Sequence, residues 1–200
     1  MNRCREKFHG AFLDLLKEKS FEKITIKEIV ARAGVSRNSY YRHYYTQRDL
    51  LNEILDDFFV ELDWISQRMG AAFSFSPVTD RKYSAGVYQM ILCYYHNAPT
   101  LKIILESDAG AVLEERMHHY IAPCFSAWLA DAFDQSERYT QSQFFEGINR
   151  FNTAGFVRII CDWIKSDCAV PPEQVLDFTL RISNLTAIYI KETKDRTDAF

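Results

Sequence analysis

The stretch ITIKEIVARAGVSRNSYYRHYYTQRDLLNEIL, residues 24–55, reads as two short helices joined by a tight turn, followed by the start of a long third helix. Thr25-Ile26-Lys27-Glu28 has the form of a capping box. The Thr25 hydroxyl accepts from a first-turn amide while Glu28 reaches back to the Thr25 amide. Ile26, Ile29, Val30 and Ala33 then supply a buried stripe. Gly34 stands where a helix end wants a left-handed residue, Val35 seats the turn on the core, and Ser36 is a second N-cap. Ala33-Gly34-Val35-Ser36 is thus the turn of a helix-turn-helix. Placed at 100° steps along the second helix, about 37–44, Tyr40 and Tyr44 share the face toward the preceding helices. Asn38, Ser39 and Arg42 point the other way, flanked by Tyr41 and His43, and Arg37 splays from the first turn. Amide, hydroxyl, guanidinium, phenol and imidazole together are the chemistry for phosphate oxygens and base edges in a major groove.

Outward from this stretch the spacing stays helical, and only seven glycines and five prolines interrupt it. Phe8, Phe12, Leu15 and Leu16 make one stripe of a first helix from Arg3 to Lys19. A long helix starts at Thr46, with Asp49 favoured in its first turn by the dipole, and runs to Met69. Residues 70–80 read as a loop. Helices follow at about 81–96, ended by Asn97-Ala98-Pro99, at 99–107, at 110–134, and, after a polar turn at 134–137, at 138–166. Pro171-Pro172 opens a last helix to about Lys194, and the tail DRTDAF is expected to fray. The expectation is an all-α chain of about nine helices. Residues 1–46 form a three-helix helix-turn-helix head with a connecting helix at 46–69, and 47–200 form a helical regulatory and dimerisation body.

Charge follows the same division. Residues 1–50 carry eleven Lys/Arg against six Asp/Glu, and residues 51–200 carry thirteen against twenty-one. A basic head on an acidic body suits a nucleic-acid reader whose remaining surface avoids phosphate. Five scattered cysteines (4, 93, 124, 161, 168) with no C-x-x-C pair argue against a disulfide framework or a zinc site and for reduced thiols. No run approaches the roughly 18 apolar residues of a membrane helix, and MNRCREKFHG lacks a secretory apolar stretch, so a cytoplasmic location is expected. His118-His119 cannot chelate together, because adjacent helical residues point about 100° apart. Without a nucleophile–base–orienter set or a Gly-rich phosphate loop, neither an enzyme nor a cofactor is expected.

Residues 24–55 resemble the TetR/AcrR family of bacterial regulators. Thr25, Ile29, Val30, Ala33, Gly34, Val35, Ser36, Ser39, Tyr41, His43, Tyr44 and Leu50 fill places of the pattern T-x-x-x-I-A-x-x-A-G-V-S-x-x-T-x-Y-x-H-F-x-x-K-x-x-L. The resemblance implies that Thr25 and Lys27 meet backbone phosphates. It implies that Ser39, Tyr41 and His43 contact phosphate, and that Arg37, Asn38 and Arg42 reach base edges. Two positions depart from the pattern. Gln47 replaces the phosphate-binding Lys, which makes Arg48 the candidate substitute, and Tyr40 replaces an aliphatic residue.

Residues 138–194, above all FNTAGFVRIICDWIKSDCAVPPEQV, resemble the C-terminal region of a Firmicutes-type branch of that family. The implied partners are a palindromic double-stranded operator and a second copy of the chain, joined through the last two helices. Phe144, Ile148, Phe151, Phe178, Ile182, Leu185 and Tyr189 are the candidate dimerisation residues. Two broad apolar stripes exceed what one packing face needs, which agrees with that implication. A small-molecule effector or a coactivator protein is the other implied partner. Trp64, Tyr88, Tyr94, Tyr95, Met117, Tyr120 and Trp128 are candidate pocket linings, although aromatics and Met at helical spacing equally suit plain core. Repression is the implied default. Activation, or a helical protein-interaction adaptor without DNA binding, stays open as an alternative.

Overall fold

A computed structural model of the chain describes residues 3–69, 81–132 and 143–193. The expected loop at 70–80, the turn at 134–137, the helix start at 138 and the tail at 195–200 lie outside the described residues. The elements are α1 (Arg3–Glu18), a 3-10 turn (Phe21–Lys23), α2 (Ile26–Ala33), α3 (Arg37–Tyr41), α4 (Gln47–Met69), α5 (Arg81–Leu105), α6 (Gly110–Ala132), α7 (Gln143–Lys165) and α8 (Pro172–Thr193). The described residues contain no strand.

The head forms as its sequence dictates. Thr25 Oγ1 accepts from the Glu28 amide at 3.3 Å, and the Thr25 amide donates to Glu28 Oε2 at 3.0 Å. Gly34 closes α2 with φ of 62°, and the Val35 amide donates to the Val30 carbonyl at 3.2 Å. Phe8, Phe12, Leu15 and Leu16 of α1 are buried, and α1 packs against α2, α5 and α4. Phe8 meets Tyr40 edge-on at 5.2 Å and Tyr44 at 6.0 Å, geometries that add to the burial of each ring.

α5 is the axis of the body and packs against α4, α7 and α8, while α6 lies mainly on α7. The expected stop at Asn97-Ala98-Pro99 does not occur, and α5 runs through Pro99 to Leu105. A proline inside a helix costs about 3 kcal/mol. Leu101, Ile104 and Leu105 beyond it are all buried, and each contributes roughly 1.5–3 kcal/mol. Burial outweighs the local break.

Head and body share a continuous apolar core, and a polar tie joins them at the surface. Asp108, between α5 and α6, accepts from the Phe21 amide and the Ser20 hydroxyl, each at 2.6 Å. It acts as a cap supplied from the body to the 3-10 turn of the head. The Ser20 hydroxyl, and after it the Phe21 amide, hold the Asp108 carboxyl below its ordinary value.

Candidate nucleic-acid interface

α3 is shorter than its expected span of 37–44. It ends at Tyr41, and the chain turns away at Arg42 and His43 while the Tyr44 amide still donates to the Tyr40 carbonyl at 2.9 Å. Ser36 caps its start, accepting from the Ser39 amide at 3.2 Å. Tyr40 and Tyr44 are buried on the inner side as expected, and the Tyr40 hydroxyl donates to the Thr46 carbonyl at 3.0 Å. Burial pushes both phenols above their ordinary pKa. Under the exit of α3, Glu53 of α4 collects Tyr44, Arg5 and His9, the last at 3.2 Å. Burial lowers the His9 pKa, with Asp57 pulling the other way. Asp49 accepts from the Tyr45 and Thr46 amides at 2.9 and 2.8 Å, and these bonds, Thr46 first, hold its carboxyl below the usual range. The loop after α3 is therefore fixed at both ends.

Arg37, Asn38, Tyr41, Arg42, His43, Lys27 and Arg48 are exposed around α3 and the start of α2. Ser39 is the correction. It was expected to face outward with Asn38 and Arg42, yet it is only 5% exposed. Ser39 neighbours Tyr40 on a helix of barely one and a half turns, so the arc that seats Tyr40 on α1 takes Ser39 with it. Its hydroxyl lies 3.8 Å from Cys4 Sγ and accepts from Arg42 Nη2 at 3.4 Å, so it steadies Arg42. Thr25 is exposed, but its hydroxyl donates to Glu28 Oε2 at 2.8 Å and is engaged in its own cap. Bonds from Lys19, then from Thr25, bring Glu28 down to about 2. Tyr45 was missed. It is 82% exposed directly after the turn, and the only sequence signal for it would have been the early end of α3.

Charge pairing divides the head. Lys17, Lys19, Arg5 and Arg32 are each matched by a carboxylate, with Arg32 bidentate on Glu18 at 2.6 and 2.9 Å. Among the described residues Lys27, Arg37, Arg42 and Arg48 have no carboxylate within ion-pair distance. Every cation around α3 is left for a partner, and elsewhere in the head Arg3, Lys7 and Lys23 are also without an ion pair among the described residues.

Residues 82–185 match a family model described as "Transcriptional regulator C-terminal region", and residues 11–54 match "Bacterial regulatory proteins, tetR family". The chain belongs to the TetR family. It is a DNA-binding transcription regulator with the helix-turn-helix head and larger helical body of that family. Solved structures share the fold at low identity. The dihydroxyacetone kinase operon activator DhaS is 17% identical, with a TM-score of 0.61 over 93% of this chain and 97% of that one. The fatty acid degradation regulator FadR from Bacillus halodurans is 11% identical, with a TM-score of 0.61 over 91% and 95%. A tetR-family transcriptional regulator from Streptomyces coelicolor is 16% identical, with a TM-score of 0.54 over 96% and 88%. No curated protein matches in sequence.

In the TetR-family body the expected contact residues divide. Phe151, Phe178, Ile182, Leu185 and Tyr189 are exposed on one side of α7 and α8, with Phe151 at 73%, while Phe144 and Ile148 are half-buried beside them. A recess of about 140 Å³ between the two helices is lined by Phe151, Gly155, Phe178 and Ile182. Of the expected pocket linings, Tyr94, Met117 and Trp128 are buried and Tyr120 is half-buried. Three others are not brought to that core. Trp64 is 58% exposed and carries Arg68 over its ring at 5.0 Å, because it sits about 200° around α4 from buried Leu62. Tyr95, one residue beyond Tyr94, stacks outside on Trp163 at 5.9 Å. Tyr88 bonds Glu173 at the surface. The Tyr94 hydroxyl is buried with no hydrogen-bond partner among the described residues. Among those residues no group of His, Cys, Asp and Glu could hold a metal ion, and no helix is long and apolar enough to cross a membrane.

Proposed function

We propose that this chain is a homodimeric repressor that grips a palindromic operator through two α3 helices and releases it when an effector enters the body. The observation that carries the reading is that none of Lys27, Arg37, Arg42 and Arg48 around α3 is paired with a carboxylate, whereas Arg5, Lys17, Lys19 and Arg32 are. Unpaired exposed Lys and Arg are what phosphate recruits, with the release of condensed counterions. Arg37, Asn38 and Arg42 face the base edges, while Lys27, Arg48, Tyr41 and His43 meet the backbone. The second copy seats on Phe151, Phe178, Leu185 and Tyr189, an apolar surface too large to leave in water. Two heads on one operator stand about 34–36 Å apart, one turn of the duplex. A dimer seated there excludes the polymerase from the same DNA.

The effector belongs beside Tyr94, where an acceptor would satisfy the lone hydroxyl near Phe58, Tyr120 and Cys124. It shifts the heads only by as much as it prefers the released state.

The test is binding of genome-selected duplexes measured across a salt series. Neutralising about six phosphates per dimer gives a log–log slope of about −5. No binding to any duplex, or a slope near zero, overturns the reading in favour of a protein-interaction adaptor. A promoter fused to a reporter separates repression from activation by the sign of the change.

A further inference from the structure

Arg37 opens α3 and Tyr41 ends it, four residues on and therefore on the same side of the helix. Arg37 Nε and Nη2 both donate to the Tyr41 hydroxyl, at 3.4 and 3.0 Å, and Arg37 Cζ lies 5.5 Å from the ring centre. A guanidinium has two hydrogen-bonding edges. Tyr41 holds the one formed by Nε and Nη2, which turns the Nη1/Nη2 edge outward. That edge matches the paired O6 and N7 acceptors of guanine. The phenol accepts from Arg37 and keeps its own hydrogen to donate to a phosphate. Arg42 is held less firmly, by a single bond of 3.4 Å to Ser39.

We infer that Tyr41 is a positioning residue for Arg37: its hydroxyl sets the guanidinium to read a guanine in the half-site, so it governs sequence selectivity as well as grip. A long Arg side chain loses much rotamer freedom when it docks on a base. Holding the fork beforehand removes part of that loss only where the fork finds its matching base. The inference rests on the DNA-binding reading above.

The test uses the full-length dimer. Selection from a randomised duplex pool gives the preferred operator. Anisotropy then measures Kd for that operator and for one with each half-site guanine replaced by adenine. Four proteins are compared at two salt concentrations: wild type, Tyr41→Phe, Arg37→Ala and the double variant. Wild type is expected to discriminate by about ten- to a hundredfold at one guanine. Tyr41→Phe keeps the ring and the fold, and should lower that ratio by about three- to tenfold with an unchanged salt slope. The double variant should discriminate no less than Arg37→Ala alone. The inference is overturned if Tyr41→Phe weakens all sequences equally with the ratio intact, or if the two losses in discrimination add. A wild type that enriches no sequence would instead remove the DNA-binding reading, and this inference with it.

Discussion

Tyr40 in the head and Tyr94 in the body are both fully buried phenols, and they are treated differently. Tyr40 donates to a backbone carbonyl at 3.0 Å, sits edge-on to Phe8, and belongs to a three-helix unit whose inner faces are closed. Tyr94 has no hydrogen-bond partner among the described residues, and the body also leaves Phe151 of α7 and Phe178, Leu185 and Tyr189 of α8 in solvent. The head is complete as a single chain. Among its described residues no buried side-chain polar atom lacks a partner. The body leaves a buried hydroxyl at its centre and an apolar flank in solvent, as the proposed effector and a second copy would require.

The contrast breaks most visibly at the flank. Phe151→Asp puts a charge in the middle of the exposed α7–α8 face and should convert the dimer to monomer by analytical ultracentrifugation. Operator affinity should then fall by about 10²–10⁴-fold, because the second head no longer binds as part of the same particle. A dimer that survives this change would move the interface elsewhere. In the head, Phe8→Ala removes a fully buried ring that touches Tyr40 and Tyr44. It should cost about 3–5 kcal/mol, seen as an early unfolding step and loss of DNA binding. Dimerisation should persist until the body unfolds.

The two tyrosines sharpen the comparison further. Tyr40→Phe strands the Thr46 carbonyl and should lower stability by about 1 kcal/mol, read from urea midpoints. Tyr94→Phe removes an unsatisfied hydroxyl and should leave stability unchanged or higher by up to about 1 kcal/mol. It should also blunt release by the effector. Equal destabilisation by both changes would mean that Tyr94 is as well satisfied as Tyr40.

The smallest effect is the pH dependence of the caps. Asp108, Asp49 and Glu28 all titrate below their unfolded values. Their contributions are complete above about pH 4, where the unfolded carboxylates ionise, and fade as pH falls through the folded values, about 2 for Glu28. All three are solvent-screened, so the slope is shallow. Asp108→Asn should flatten part of it in thermal midpoints taken from pH 5 to 2.5. An unchanged profile would show that the tie between body and head carries no strength.

What could be read from the sequence follows the same division. The caps at Thr25 and Ser36, the turn at Gly34 and the inward tyrosines depend on neighbours within a few residues, and all stand where the spacing put them. The misplacements came from contacts across the fold. Ser39 turned inward because the seating of Tyr40 on α1 carried it against Cys4. Pro99 was carried through by the burial of Leu101, Ile104 and Leu105. Trp64 and Tyr95 faced out because the inner arcs of α4 and α5 were already taken. Apolar character alone marks a residue as sticky. It does not say which neighbour will cover it.

The brevity of α3 limits how much one head can know. Five residues span about 7.5 Å along the axis, little more than two base-pair steps of about 3.4 Å each. A genome offers on the order of 10⁶ or more rival positions, far too many for so short a probe to resolve alone. The address has to be assembled from two such glimpses at a fixed separation, supplemented by how readily the untouched steps between them bend.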